Sequence, residues 1–297
     1  MLLNHSGDPL LDQYFLKKLD GLVLNARAAL KGDMGGNRKS RSKGTSIEFS
    51  DFREYVVGDD FRRIDWNAYA RFERLFVKLF MEEREASITV YVDLSGSMDW
   101  GRPNKGRLAK QLAAVFVYIA LANLDRVSVM GIRDDVSTYL PYFSGKQGFW
   151  KALKFIDELE FGGKTSLSNS IKRYACIKPG GISILITDLF SKDGYQEGLR
   201  YLQYQKQEIT LVHIMAPWEL EPELSGNLRL IDVEDGKAKE IVVTSQVLKA
   251  YKKTVDEFLK EVGTFCYTRG INYIPINSAV TVERVVFENL VKFGLVR

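Results

Sequence analysis

Five oxygen-bearing side chains, at three places in the chain, have the types and setting to hold a hard cation. Asp93 closes the apolar run SITVYVD at 87–93, and Ser95 and Ser97 follow at intervals of two in VDLSGSM. Thr165 stands in the glycine-rich stretch FGGKTSLSNS, and Asp188 ends the run ISILITD. Two carboxylates offer anionic oxygens and three hydroxyls offer compact neutral ones. That donor set suits magnesium, which takes about six oxygen ligands in near-octahedral geometry and usually retains water; manganese or calcium fits the same chemistry. Each residue alone has a plainer reading. The Asp-Ser cluster can be a turn bonded to its own backbone, Thr165 a helix cap, and Asp188 a strand end. Their joint order, with both aspartates at strand ends, favours the metal reading.

Other chemistry is poorly supported. GGKTS at 162–166 imitates the end of a phosphate-binding loop, but the first glycine required by G-x-x-x-x-G-K-[ST] is Glu158 here. The segment also follows a helical pattern where a strand is needed, so nucleotide binding is not expected. Ser97 is not centred in G-x-S-x-G. His213 ends an apolar strand and reads as a packed residue. Cys176 and Cys266 stand in no Cys-x-x-Cys pair, so redox catalysis is weak. No residue is assigned a catalytic or organic-cofactor role. Metal-assisted hydrolysis is the enzyme alternative, and a metal-free structural scaffold the other.

The elements that must position these residues alternate. Strand patterns at 87–93, 126–132, 182–188, 209–214 and 271–276 are interleaved with helical patterns at 105–124, 149–160, 194–205, 246–262 and 279–293. Such alternation predicts an α/β fold, a doubly wound and mostly parallel sheet with helices on both faces. In that fold ligands collect beyond the carboxyl ends of the strands. VSTYLPY at 136–142 offers an edge strand. Residues 215–245 interrupt the alternation, and the Glu234-Asp235-Gly236 turn predicts a small β insertion. Trp218 within it is either a packing plug or an exposed aromatic for a partner.

Upstream, residues 10–30 favour a helix with Leu11, Phe15, Leu19, Leu22 and Ala26 on one face. A basic, Gly/Ser-rich linker follows, so 1–44 form an N-terminal region. Residues 45–86 thread aromatics among charges and form a segment packed on the main domain, 87–297. Phe61 and Trp66 are its expected anchors, and Arg53, Arg62, Arg63 and Arg71 are matched with Glu54, Asp59, Asp60 and Asp65. A phosphate- or partner-binding surface is the alternative for that block.

Composition bounds the function. In 297 residues, 42 basic side chains face 38 acidic ones, a net +4, with 45% hydrophobic and 27% charged residues. This is globular composition with little general attraction for nucleic acid. The local excess at Arg27, Lys31, Arg38, Lys39, Arg41 and Lys43 against Asp33 accompanies no nucleic-acid module. Two cysteines and two histidines leave no material for a disulfide scaffold or a structural zinc site. No apolar run reaches the roughly 20 residues of a membrane span, so no membrane insertion and a cytoplasmic location are expected.

Asp93-Leu94-Ser95-Gly96-Ser97, then Thr165, then Asp188, resembles the metal-ion-dependent adhesion site (MIDAS) of von Willebrand factor A (vWA) domains. That family implies a Rossmann-like sheet with a divalent cation at its edge. FSDFREYVVGDDFRRIDWNAYARFERLFVKLFMEERE at 49–85, running into DLSGSM, is similar to the bacterial domain of unknown function 58 family, in its short soluble form. The resemblance implies association with a MoxR-type AAA+ ATPase. It further implies a magnesium-dependent protein–protein interaction module, active in chaperone-like assembly or maturation of complexes, that captures an Asp or Glu of the ATPase or of a client protein.

Overall fold

The computed structural model describes residues 9–24, 47–82, 86–134, 138–174, 180–233 and 236–297. They fall into two units, 47–82 and 9–24 with 86–297. The basic linker, Cys176 and the Glu234-Asp235 pair lie outside the described residues.

The chain opens with helix α1, Gln13–Leu19, capped by the Asp12 carboxylate, which accepts from the Phe15 amide. The helix expected over 10–30 therefore stops early. Gly21 adopts φ +88°, and Leu24 then forms an antiparallel bridge with Val296. A left-handed glycine just after the residue that caps a helix end turns the chain away at little steric cost.

In the smaller unit, β1 (Ile47–Glu54) pairs antiparallel with β2 (Phe76–Glu82), and α2 (Trp66–Phe72) lies between them in sequence. Asp65 caps α2 by accepting from the amides of Asn67 and Ala68. Two of the expected ion pairs form, Arg53–Asp59 and Arg62–Asp60, while Glu54 pairs with Arg74. Phe61 and Trp66, the expected anchors, are exposed at 68% and 61%.

The larger unit is a mixed α/β structure around a six-stranded sheet. Its strands are β3 (Ser87–Asp93), β4 (Arg126–Ile132), β5 (Thr138–Phe143), β6 (Ile182–Thr187), β7 (Glu208–Met215) and β10 (Asn272–Asn277). Between β7 and β10 come β8 (Gly226–Ile231) and β9 (Ala238–Val243), the expected hairpin insertion. The order across the sheet is β10-β7-β6-β3-β4-β5, all parallel except β5. The two edge strands, β5 and β10, contain Pro141 and Pro275.

Side chains alternate between two covered faces. Val90, Val92, Ile184 and Ile186 join the core under α3 (Lys105–Ala122) and α4 (Gly148–Asp157). Tyr91, Leu185 and Leu211 join the opposite core, with α5 (Leu167–Tyr174), α6 (Gln196–Tyr204) and the end of α8 (Ser245–Thr268). The short α7 (Pro217–Leu220) precedes the hairpin, and α9 (Val282–Arg284) runs on into a wider turn at Val285–Leu290. The stripe expected on α8 is buried only at its far end. Val262 is fully buried, whereas Val247 and Tyr251 remain partly in solvent. Among the described residues no helix is long and apolar enough to cross a membrane.

Candidate functional site at the carboxyl edge of the sheet

Strand order decides where a ligand can enter. From β3 the chain crosses by α3 to β4 on one side, whereas from β6 it crosses by α6 to β7 on the other. Connections leaving neighbouring strands in opposite directions open a crevice beyond their carboxyl ends. Asp93 is the last residue of β3, and Asp188 follows the last residue of β6. Both are buried, as are Ser95 and Thr165; Ser97 is partly exposed.

Three loops are stitched together there. The Gly96 amide donates to the Gly163 carbonyl at 3.0 Å, and the Gly162 amide to the Leu94 carbonyl at 2.9 Å. The Ser191 hydroxyl donates to the Thr165 carbonyl at 2.8 Å. The loop carrying Thr165 is also pinned by Phe161, whose ring lies where a side chain on Gly106 would sit. The imitation phosphate loop is therefore a crossing strap that brings Thr165 beside the Asp93 loop. It follows α4, as its sequence pattern indicated.

Within this edge, Asp93 Oδ1 accepts from the Ser95 amide at 3.0 Å and Oδ2 from the Thr187 hydroxyl at 2.7 Å. The hydroxyls of Ser95 and Ser97 are 3.0 Å apart. Burial, and then the nearby Asp188 charge, push the Asp93 carboxyl up to about 6 despite these donors. Thr165 Oγ1 is buried and has no hydrogen-bond partner among the described residues. A buried polar atom without a partner costs about 1–3 kcal/mol. Leu189, next to Asp188, holds φ +62°, a conformation that costs a branched side chain energy and recurs at functional sites.

Two participants have no counterpart in the sequence reading. Lys105, the first residue of α3, is fully buried, and its ammonium donates to Asp188 Oδ2 at 2.7 Å and to Glu219 Oε1. Glu219, on α7, accepts from the Ala216 amide with its other oxygen, and burial raises its pKa. The Pro-Trp-Glu order is a helix-start signal, but nothing local announces a lysine 114 residues away. His213 is buried as expected: its Nδ1 meets the Tyr273 hydroxyl at 2.9 Å and its Nε2 the Asp188 carbonyl at 3.1 Å. Desolvation lowers its pKa to about 4, so it stays neutral. Among the described residues no three His, Cys, Asp or Glu side chains gather as a metal-binding group; the cluster described here is rich in hydroxyls.

An open groove of about 740 Å³ adjoins the cluster, lined by Ser97, Phe190, Met215, Val233, Tyr251 and Phe258. Val233, from the turn between β8 and β9, lies close over Gly96.

Fold and site together define an α/β protein with an open, mostly parallel sheet and a buried polar cluster at its switch point. The chain belongs to the family described as "Protein of unknown function DUF58", whose model matches residues 51–259. It is 25% identical over 230 residues to the uncharacterized protein Rv1480 of Mycobacterium tuberculosis, a match covering 75% of this chain and 72% of that one. The uncharacterized protein Mb1516 of Mycobacterium bovis matches equally. Among solved structures, the conserved hypothetical protein BatB from Bacteroides thetaiotaomicron has 15% identity and a TM-score of 0.43, covering 70% of this chain and 98% of its own.

Proposed function

We propose that the chain is a divalent-cation-dependent protein-binding module of the vWA type. In this reading Asp93, Ser95, Ser97, Thr165 and Asp188 hold magnesium, with manganese or calcium as substitutes, and a carboxylate of a partner protein completes the shell. The observation that carries the reading is Thr165 Oγ1, a buried hydroxyl oxygen with no hydrogen-bond partner among the described residues, on a loop tied to that of two interacting carboxylates. A bound cation would relieve both the unpartnered oxygen and the repulsion between Asp93 and Asp188. The donor set is also chemically sound, since each Asp93 oxygen keeps a lone pair after its single hydrogen bond. The groove beside Ser97 offers apolar surface for the residues flanking a partner's Asp or Glu. On the resemblance of DLSGSM and its upstream block, the proposed partner is a MoxR-type AAA+ ATPase or its client, in assembly or maturation of complexes.

Thr165→Val separates this reading from simple packing. The metal-free variant should be more stable than the wild type by about 1–3 kcal/mol, because an unpaired hydroxyl is removed. Calorimetry should then show magnesium binding weakened, and with it binding of the cognate ATPase or client. Equal partner affinity in magnesium, in chelator and in Asp93→Ala would overturn the carboxylate-capture mechanism. Undiminished magnesium affinity in Thr165→Val would remove that residue from the site.

A further inference from the structure

Lys105 stands at a position that two physical costs oppose. It is fully buried, and it occupies the first turn of α3, where the helix dipole disfavours a cation. Two carboxylates meet those costs. Asp188 lies 2.7 Å from its ammonium, and Glu219 contacts it from α7. Glu219 is itself fixed by the Ala216 amide and, through its carbonyl, by the Tyr251 hydroxyl at 2.8 Å. Phe190 covers the ammonium, its ring centroid 5.4 Å away. Asp93, Asp188 and Glu219 together bring three negative charges, and Lys105 returns one positive charge. Two negative charges remain in excess, which one divalent cation would neutralise.

Resting on the proposed cation site, we infer that Lys105 is its built-in counter-charge, setting the valence and strength of cation binding through Asp188, with Glu219 as the balancing residue. Neither Lys105 nor Glu219 is a ligand in this scheme. Lys105 holds one oxygen of Asp188 and repels a cation at the other, and Glu219 offsets part of that repulsion. Coulomb interaction scales with the cation's charge, so removing the ammonium benefits a trivalent ion more than a divalent one.

The test is calorimetric titration of the full chain with manganese and with lanthanum, comparing wild type, Lys105→Met, Glu219→Gln and the double variant. Lys105→Met should bind manganese about tenfold or more tightly, and its preference for lanthanum over manganese should rise. Glu219→Gln should bind manganese about tenfold or more weakly. The double variant, restored to the original charge, should return to within roughly threefold of wild type. Breaking one side of a buried pair often destabilises a protein strongly, whereas removing both is commonly tolerated. If Lys105→Met fails to fold, the double variant must still bind manganese more tightly than Glu219→Gln. Equal affinity across all variants, or a loss in each regardless of charge, would reduce Lys105 to a packing role while leaving the cation site standing. Failure of every protein to bind manganese would overturn the cation site and the counter-charge together.

Discussion

In the larger unit, side chains such as Leu112, Phe116 and Ile186 are wholly removed from water, and polar groups as costly as Lys105 and Asp188 are buried among them. In the 47–82 unit Phe52, Phe61, Trp66, Tyr69 and Phe72 are exposed, Tyr55 and Phe76 are half-buried, and among the side chains described there Ile64 and Val77 are the buried apolar ones. A two-stranded ribbon with one short helix has too little buried apolar surface to be firmly stable in water. A buried ionic cluster carries a desolvation cost, and the double-faced core of the larger unit is where burial is extensive enough to offset it. The contrast also shows that aromatic content alone does not make a core: these five exposed aromatics offer a surface, and covering them would stabilise the unit.

The contrast can be broken most directly by truncation. Phe116→Ala should cost about 3–5 kcal/mol in denaturant unfolding of the larger unit, whereas Trp66→Ala should cost much less. Amide exchange should be slow in β3 and β6 and faster through 47–82. Exchange equally slow in both would show that the aromatic surface is covered, as a segment packed on the main domain requires.

A smaller effect lies in acid. Burial, outweighing the neighbouring Asp188, lowers His213 to about 4 from 6.5. Between those values the unfolded state binds more protons, so stability rises with pH and is lost as pH falls, on a scale of about 3 kcal/mol. Asp93 acts in the opposite sense: raised from 3.8 to about 6, it stabilises the folded state at low pH and loses that contribution as pH rises. In chelator the wild type should therefore show a shallow profile between pH 4 and 6.5. Asp93→Asn should expose the rising slope of His213, and a flat Asp93→Asn profile would contradict the burial argument. The smallest effect is local: Asp65→Ala removes the α2 cap and should cost about 1 kcal/mol, seen as faster exchange in α2 with β3 unaffected.

The sheet was legible because β-branched runs alternate with helical periods, and both aspartates were legible as strand ends. The strap carrying Thr165 was legible as an excluded nucleotide loop, although its crossing over the Asp93 loop depends on Phe161 seating on Gly106. The first helix read too long because apolar spacing continues through Leu22, while Gly21 turns the backbone. The α8 stripe was visible, but its exposure at Val247 and Tyr251 follows from where neighbouring elements end, which spacing does not encode. Lys105 and Glu219 went unread for a similar reason. A contact across so long a stretch of chain is made by topology, and each residue alone resembles an ordinary charged helix start.

Among the described residues, the prolines that lie within strands are Pro141 and Pro275, one in each border strand of the large sheet. A proline has no amide hydrogen to offer a neighbouring strand, and natural sheets use it to blunt their margins. The sheet is thereby discouraged from growing sideways, whether by pairing with a second copy or by templating aggregation during synthesis. On the proposed function, a partner would meet the loops above the sheet instead, where particular side chains can select it.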